Sequence, residues 1–164
     1  MVRRILLDGL KTGLTLAATT TAAIMLFGKR QRGSAWSGIN AISHVVDDAR
    51  RFPRGFSARE SAIGLGVNTA AMLGWGLLYR GALAAVGGRG GVVPAALATL
   101  AIGLVDYELL PARFSPGIER VLGPKAVATC YVVLGATLAL SDRLMTPPLL
   151  LGPHDEGSPE AWFV

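Results

Sequence analysis

Polar and apolar positions along this chain alternate on a long wavelength: four stretches without a charged residue, separated by short polar segments. The uncharged runs are Thr12 to Gly28 (17 residues), Ser61 to Tyr79 (19), Gly90 to Val105 (16) and Ala126 to Ser141 (16). A hydrocarbon core of about 30 Å asks for about 20 mostly apolar residues per helix. The shorter runs reach that length by borrowing neighbours, Leu109 and Leu110 for the third, Leu144 and Met145 for the fourth. The pattern therefore predicts an all-α fold, a four-helix transmembrane bundle with spans near 5–27, 60–82, 92–110 and 125–144 in one integral membrane domain over 1–145. The segment 146–164, proline-bearing and acidic, reads as a flexible tail.

Between the first two spans the period changes. At about 100° per residue, Gly38, Ile39, Ile42, Val45 and Val46 fall on one side of a helix over 34–49, and Trp36, Asn40, Ser43, His44 and Asp47 on the other. The run is too short to span, so it predicts an amphipathic helix lying in the membrane interface, with arginines at both ends for anionic headgroups. Arg51-Phe-Pro-Arg-Gly55 reads as a turn. Ser57-Ala-Arg-Glu60 then has the spacing of a capping box and places the start of the second span. That span carries Gly64, Gly66, Gly74, Gly76 and Gly81, small enough for a neighbouring backbone to approach closely, and Trp75 and Tyr79, which suit an aromatic belt. Gly87-Gly-Arg-Gly-Gly91 reads as a flexible hairpin; it shares only its composition with phosphate-cradling loops. Pro94 and Pro124 sit where a missing amide is harmless, in the first turns of the third and fourth spans.

Composition agrees with the pattern. Apolar residues make up 51% of the 164, charged residues 16%, and the mean hydropathy is +0.46, a balance hard to keep in water in so small a chain. Arg3, Arg4 and the apolar stretch after them invite a signal-peptide reading, but Asp8 and Lys11 interrupt that stretch and no clear small-residue cleavage site follows, so the segment predicts a retained first helix, with Asp8 and Lys11 neutralising each other on one face. The net charge of +5 does not point to nucleic acid, because loop lysines and arginines alone account for it. Ten of the 16 basic residues fall in the first and third loop regions, which places those loops in the cytoplasm and the termini outside. Cys130 is the single cysteine and reads as packing.

Few residues could carry chemistry. His44 shares a predicted face with Asn40 and Asp47, and an imidazole oriented by a carboxylate can act as base or ligand. The other histidine, His154, lies in the tail, so neither a metal nor a haem site is predicted. Asp106 and Glu108 stand at the end of the third span about 200° apart on a helix, with Arg80 or Arg113 available as counter-ions. Ionisable groups at membrane depth are costly and mark functional positions. No nucleophile elbow, zinc spacing or nucleotide loop appears, so no catalytic residue and no cofactor is assigned.

At SAWSGINAISHVVDD, NTAAMLGWGLLYRGAL and LVDYELLPARFSPGIERVLGPKAV the chain resembles a group of small bacterial inner-membrane proteins, distantly YagU-like. The matching positions are Asn40, Ser43, His44, Asp106, Tyr107, Arg113, Pro116, Gly117 and Glu119. The resemblance implies a four-helix architecture in the bacterial inner membrane and no specific activity. Val-Val-Asp-Asp follows His44 here, where the family pattern is richer in aromatic residues, and this weakens any role for the His44 face. The leading expectation is a protein that works through helix contacts, as a homo-oligomer or an accessory subunit of a larger membrane complex, with lipid as its other partner. The alternative is a small transporter or channel whose path is lined by Asp106 and the Thr12–Thr15 face of the first helix, together with Asn40. An enzyme using His44 and Asp47 has the least support.

Overall fold

The computed structural model describes residues 2–46 and 52–145. Among these every regular element is helical: α1 Val2–Arg32, the short α2 Trp36–Ile42, α3 Ala58–Ala85, α4 Val92–Leu104 and α5 Pro124–Met145. α4 continues through a single π turn, Val105–Leu109, to make a rod of 18 residues. α1, α3, this rod and α5 are each long and apolar enough to cross a membrane. Asp47, His154 and the proposed tail lie outside the described residues.

Local chemistry sets the ends. Ser57 takes an extended backbone (φ −134°) immediately before α3, at the start the capping box predicts. The bonding differs from the box: the Ser57 hydroxyl donates to the Glu60 carboxylate, and the Ser57 amide is taken by Ser61 Oγ at 3.1 Å. α1 runs unbroken through its charged first third, where Asp8 pairs with Arg4 one turn earlier at 3.7 Å, not with Lys11. At its other end Lys29 donates to the carbonyl of Gly33, which takes a φ of 77° beyond the last turn.

α1 is the central helix. It packs against α3 on one side and α5 on the other, and α4 packs on α5, while α3 and α4 scarcely touch although they follow each other in sequence. The five glycines of α3 divide accordingly. A Cβ on Gly76 would overlap the backbone of Gly13 in α1, and one on Gly64 would overlap the Ile39 carbonyl of α2; Gly66, Gly74 and Gly81 face open space. Two of the five are thus requirements of close packing.

The structure corrects two expectations. The helix between the first two spans is present, but it does not lie on a surface: Ser37 to His44 are all buried. Its apolar residues Ile39 and Ile42 enter a core with Ala23, Ile24, Ile118, Leu122, Ala126 and Cys130. Its polar residues Ser37, Asn40 and Ser43 hydrogen-bond to neighbouring protein atoms rather than to water. Trp75 and Tyr79 likewise turn inward, onto a second core formed by Leu16, Ala17, Met72, Ala95, Ile102, Leu134 and Leu138.

Candidate functional site

Two polar clusters occupy opposite ends of the bundle. The first is built on the π turn. In that turn the Leu110 amide reaches back to the Val105 carbonyl at 2.9 Å, and such insertions re-aim side chains without ending a helix. Asp106 turns toward α5, where Tyr131 donates to its Oδ2 at 2.6 Å. Asp106 and Tyr131 then form part of the wall of a cavity of about 100 Å³ between α1, α3 and α5. Apolar groups dominate the rest of the wall, including Ile24, Met72, Trp75, Phe114, Cys130 and Leu134. Asn68 adds an amide, donated to Thr21 Oγ1 at 3.0 Å.

On the far side of Tyr131 an open groove of about 660 Å³ runs between α4 and α5, lined by Tyr107, Glu108 and Glu119 among others. Glu119 accepts from Ser115 Oγ at 3.0 Å and Tyr107 Oη at 3.4 Å. The Tyr107 and Tyr131 rings lie 6.0 Å apart. Arg113 does not reach Asp106; its guanidinium lies over the Phe114 ring, 5.8 Å from the centroid.

At the same end, Asn40 and His44 form a structural joint. The Asn40 amide donates to the carbonyls of Pro53 and Gly55, both at 2.8 Å, and its Oδ1 accepts from Ser61 at 2.7 Å. This ties the 52–57 segment and the start of α3 to α2. His44 is 1% exposed. Its Nδ1 faces the Ala41 carbonyl at 2.9 Å and so carries the hydrogen, while Nε2 is buried with no hydrogen-bond partner among the described residues. Gly117 sits directly on the ring: a Cβ there would overlap it, and its φ of 77° is one that glycine adopts without strain. The Asn-Ala-x-Ser-His and Ser-Pro-Gly segments, distant in sequence, therefore meet through His44 and Gly117.

The second cluster, at the other end, was not apparent from the sequence. Asp142 of α5 is 2% exposed. It receives Arg80 Nη1 at 2.8 Å, Tyr79 Oη at 2.5 Å and the Gly91 amide at 2.7 Å. Gly90 lies so close that a Cβ would overlap the carboxylate. Arg80 also donates to Thr12 Oγ1 of α1 at 2.9 Å. The glycine-rich hairpin is therefore tied down, and what it cradles is an internal carboxylate. Arg80 is the counter-ion of Asp142 and not of Asp106.

Of the positions singled out in the sequence, Asp106, Glu108 and Glu119 come together around Tyr107 and Tyr131. Asn40 and His44 form a separate joint, Arg113 stays outside both, and Asp47 lies outside the described residues. Thr12 belongs to the far cluster and Thr15 is exposed, bonded to the Lys11 carbonyl at 2.9 Å, so these threonines do not line a path with Asp106. Asp142 escaped notice because it looks, in sequence, like the polar start of the tail. The chain matches no protein-family model, and no curated protein or solved structure is similar to it.

Proposed function

We propose that this chain is a multi-pass bacterial inner-membrane protein that takes up a small solute or ion between its helices, beside Asp106. The observation that carries the reading is the placement of a carboxylate, on a helix long and apolar enough to span, in the wall of a mostly apolar cavity. A carboxylate on a spanning segment is costly unless it is paired or a path or ligand uses it, and a mostly apolar pocket with a few convergent polar groups is the usual form of a binding site. We assign the site no catalytic chemistry. The excess of basic residues at the end that holds α2 and the 110–123 segment supports a cytoplasmic location for that end.

The test is extraction from native membranes without detergent, followed by mass analysis of what stays bound to the wild type and to Asp106→Asn. A small solute or ion retained by the first and lost from the second, with helix content and assembly unchanged, is the expected result. A second reading, action through helix contacts in a homo-oligomer or larger complex, is favoured by α4, whose Val93, Leu97, Leu100 and Leu104 face outward. A stoichiometric protein partner with no solute difference between the two proteins would establish that reading and remove the first.

A further inference from the structure

We propose that the ligand of the Asp106 cavity is an amphipathic organic cation: a compact apolar body carrying one ammonium group. The inference rests on the reading of this cavity as a binding site and adds the chemistry of what it takes. Six acidic residues are described, and they fall into two sets. Asp8, Glu60 and Asp142 each have a basic partner within 4 Å, namely Arg4, Arg59 and Arg80. Asp106, Glu108 and Glu119 have no ion-pair partner among the described residues, and all three line the cavity or the groove that meets it at Tyr131. No lysine or arginine among the described residues lines either space. The region is acidic, with no ion pair to balance it among the described residues.

The walls supply the rest of the recognition. Trp75, Phe114 and Tyr131 line the cavity, and aromatic faces attract ammonium groups, most strongly where water is excluded. One oxygen of Asp106 is held by Tyr131 at 2.6 Å, which leaves the carboxylate oriented while its other oxygen has no hydrogen bond among the described residues. An anion would meet only like charge. A purely apolar ligand would leave the carboxylate against hydrocarbon, which is unfavourable. A divalent metal would need several ligating groups, and no cluster of three or more His, Cys, Asp or Glu side chains exists among the described residues. Size limits the body: a cavity of about 100 Å³ is somewhat smaller than the engineered space of about 150 Å³ that accepts benzene, so a single ring or a short branched chain would fill it, with the ammonium at the Asp106–Tyr131 wall.

The test uses the full chain in lipid nanodiscs with tetramethylammonium and its uncharged isostere neopentane, both within the size the cavity allows. Binding is read by equilibrium dialysis and by protection of Cys130, the only cysteine and part of the cavity wall, from a small membrane-permeant thiol reagent. The expected result is saturable binding of the cation, protection of Cys130, and a preference of about tenfold or more over the isostere, lost in Asp106→Asn. The comparison of the two probes on wild-type protein needs no variant, so a folding defect in Asp106→Asn does not leave the proposal untested. Equal binding of both probes with protection of Cys130 would overturn the cation and keep the cavity as a site. Absence of binding and protection with either probe, while retained solute still differs between wild type and Asp106→Asn, would overturn the organic cation in favour of a simple ion. Absence of all three would overturn the cavity reading itself.

Discussion

The two ends of the bundle treat a carboxylate in opposite ways. At one, Asp142 is enclosed by a guanidinium, a phenol and a backbone amide drawn from α3 and the hairpin before α4. At the other, Asp106 has a single phenol and a mostly apolar cavity, with two more carboxylates nearby and no ion-pair partner among the described residues. The first arrangement is complete within the chain, and every added partner fixes a helix. The second has no ion-pair partner among the described residues, and the proposed ligand would supply the missing positive charge. A buried charge that is fully paired argues for architecture, and one left unbalanced in a cavity argues for function.

Removing one member of the paired end should have the largest effect. Arg80→Ala removes the guanidinium paired with the buried Asp142 carboxylate, and should lower stability by about 3–5 kcal/mol, measured by reversible unfolding in mixed micelles. Arg80→Met combined with Asp142→Leu should restore most of that loss, because an apolar pair of similar size has no charge to desolvate. Next in size is the helix contact: Gly76→Val forces a side chain into the α1 backbone and should cost about 1–3 kcal/mol, whereas Gly74→Val, facing open space, should stay within about 0.5 kcal/mol. Equal losses at the two glycines would remove the α1–α3 contact from the account. Asp106→Asn keeps an acceptor for Tyr131 and should change stability by less than about 1 kcal/mol in the same assay. If it costs as much as Arg80→Ala, the contrast between the ends disappears. The smallest effect is expected for exposed Glu108→Gln, within about 0.5 kcal/mol, together with a weaker electrostatic pull on a cationic probe measured as a reduced on-rate.

The four long helices were legible because hydropathy integrates over many residues and needs no tertiary partner. The start of α3 was legible for a similar reason: Ser57 acts within one turn. What failed was everything that depends on which distant group arrives. Asn40 and His44 look like the wet face of a surface helix until Pro53, Gly55, Ser61 and Gly117 are brought against them. Tyr79 and Asp142 are 63 residues apart, and neither has a local pattern that announces the other. Asp106 could be picked out as costly, yet its phenol partner, and the lack of an ion pair to it among the described residues, are properties of the assembled bundle.

The hairpin at Gly87 to Gly91 has a consequence for proteases. Arg89 is an exposed trypsin site flanked by glycines, the composition of a segment that nicks readily. A protease must draw out several residues on each side of the bond it cuts, and here Gly91 is bonded to Asp142 while Gly90 lies against the same carboxylate. Cleavage at Arg89 is therefore coupled to breaking the Asp142 cluster: the folded chain should be spared there, and the first nick at this arginine reports that α5 has let go of the hairpin.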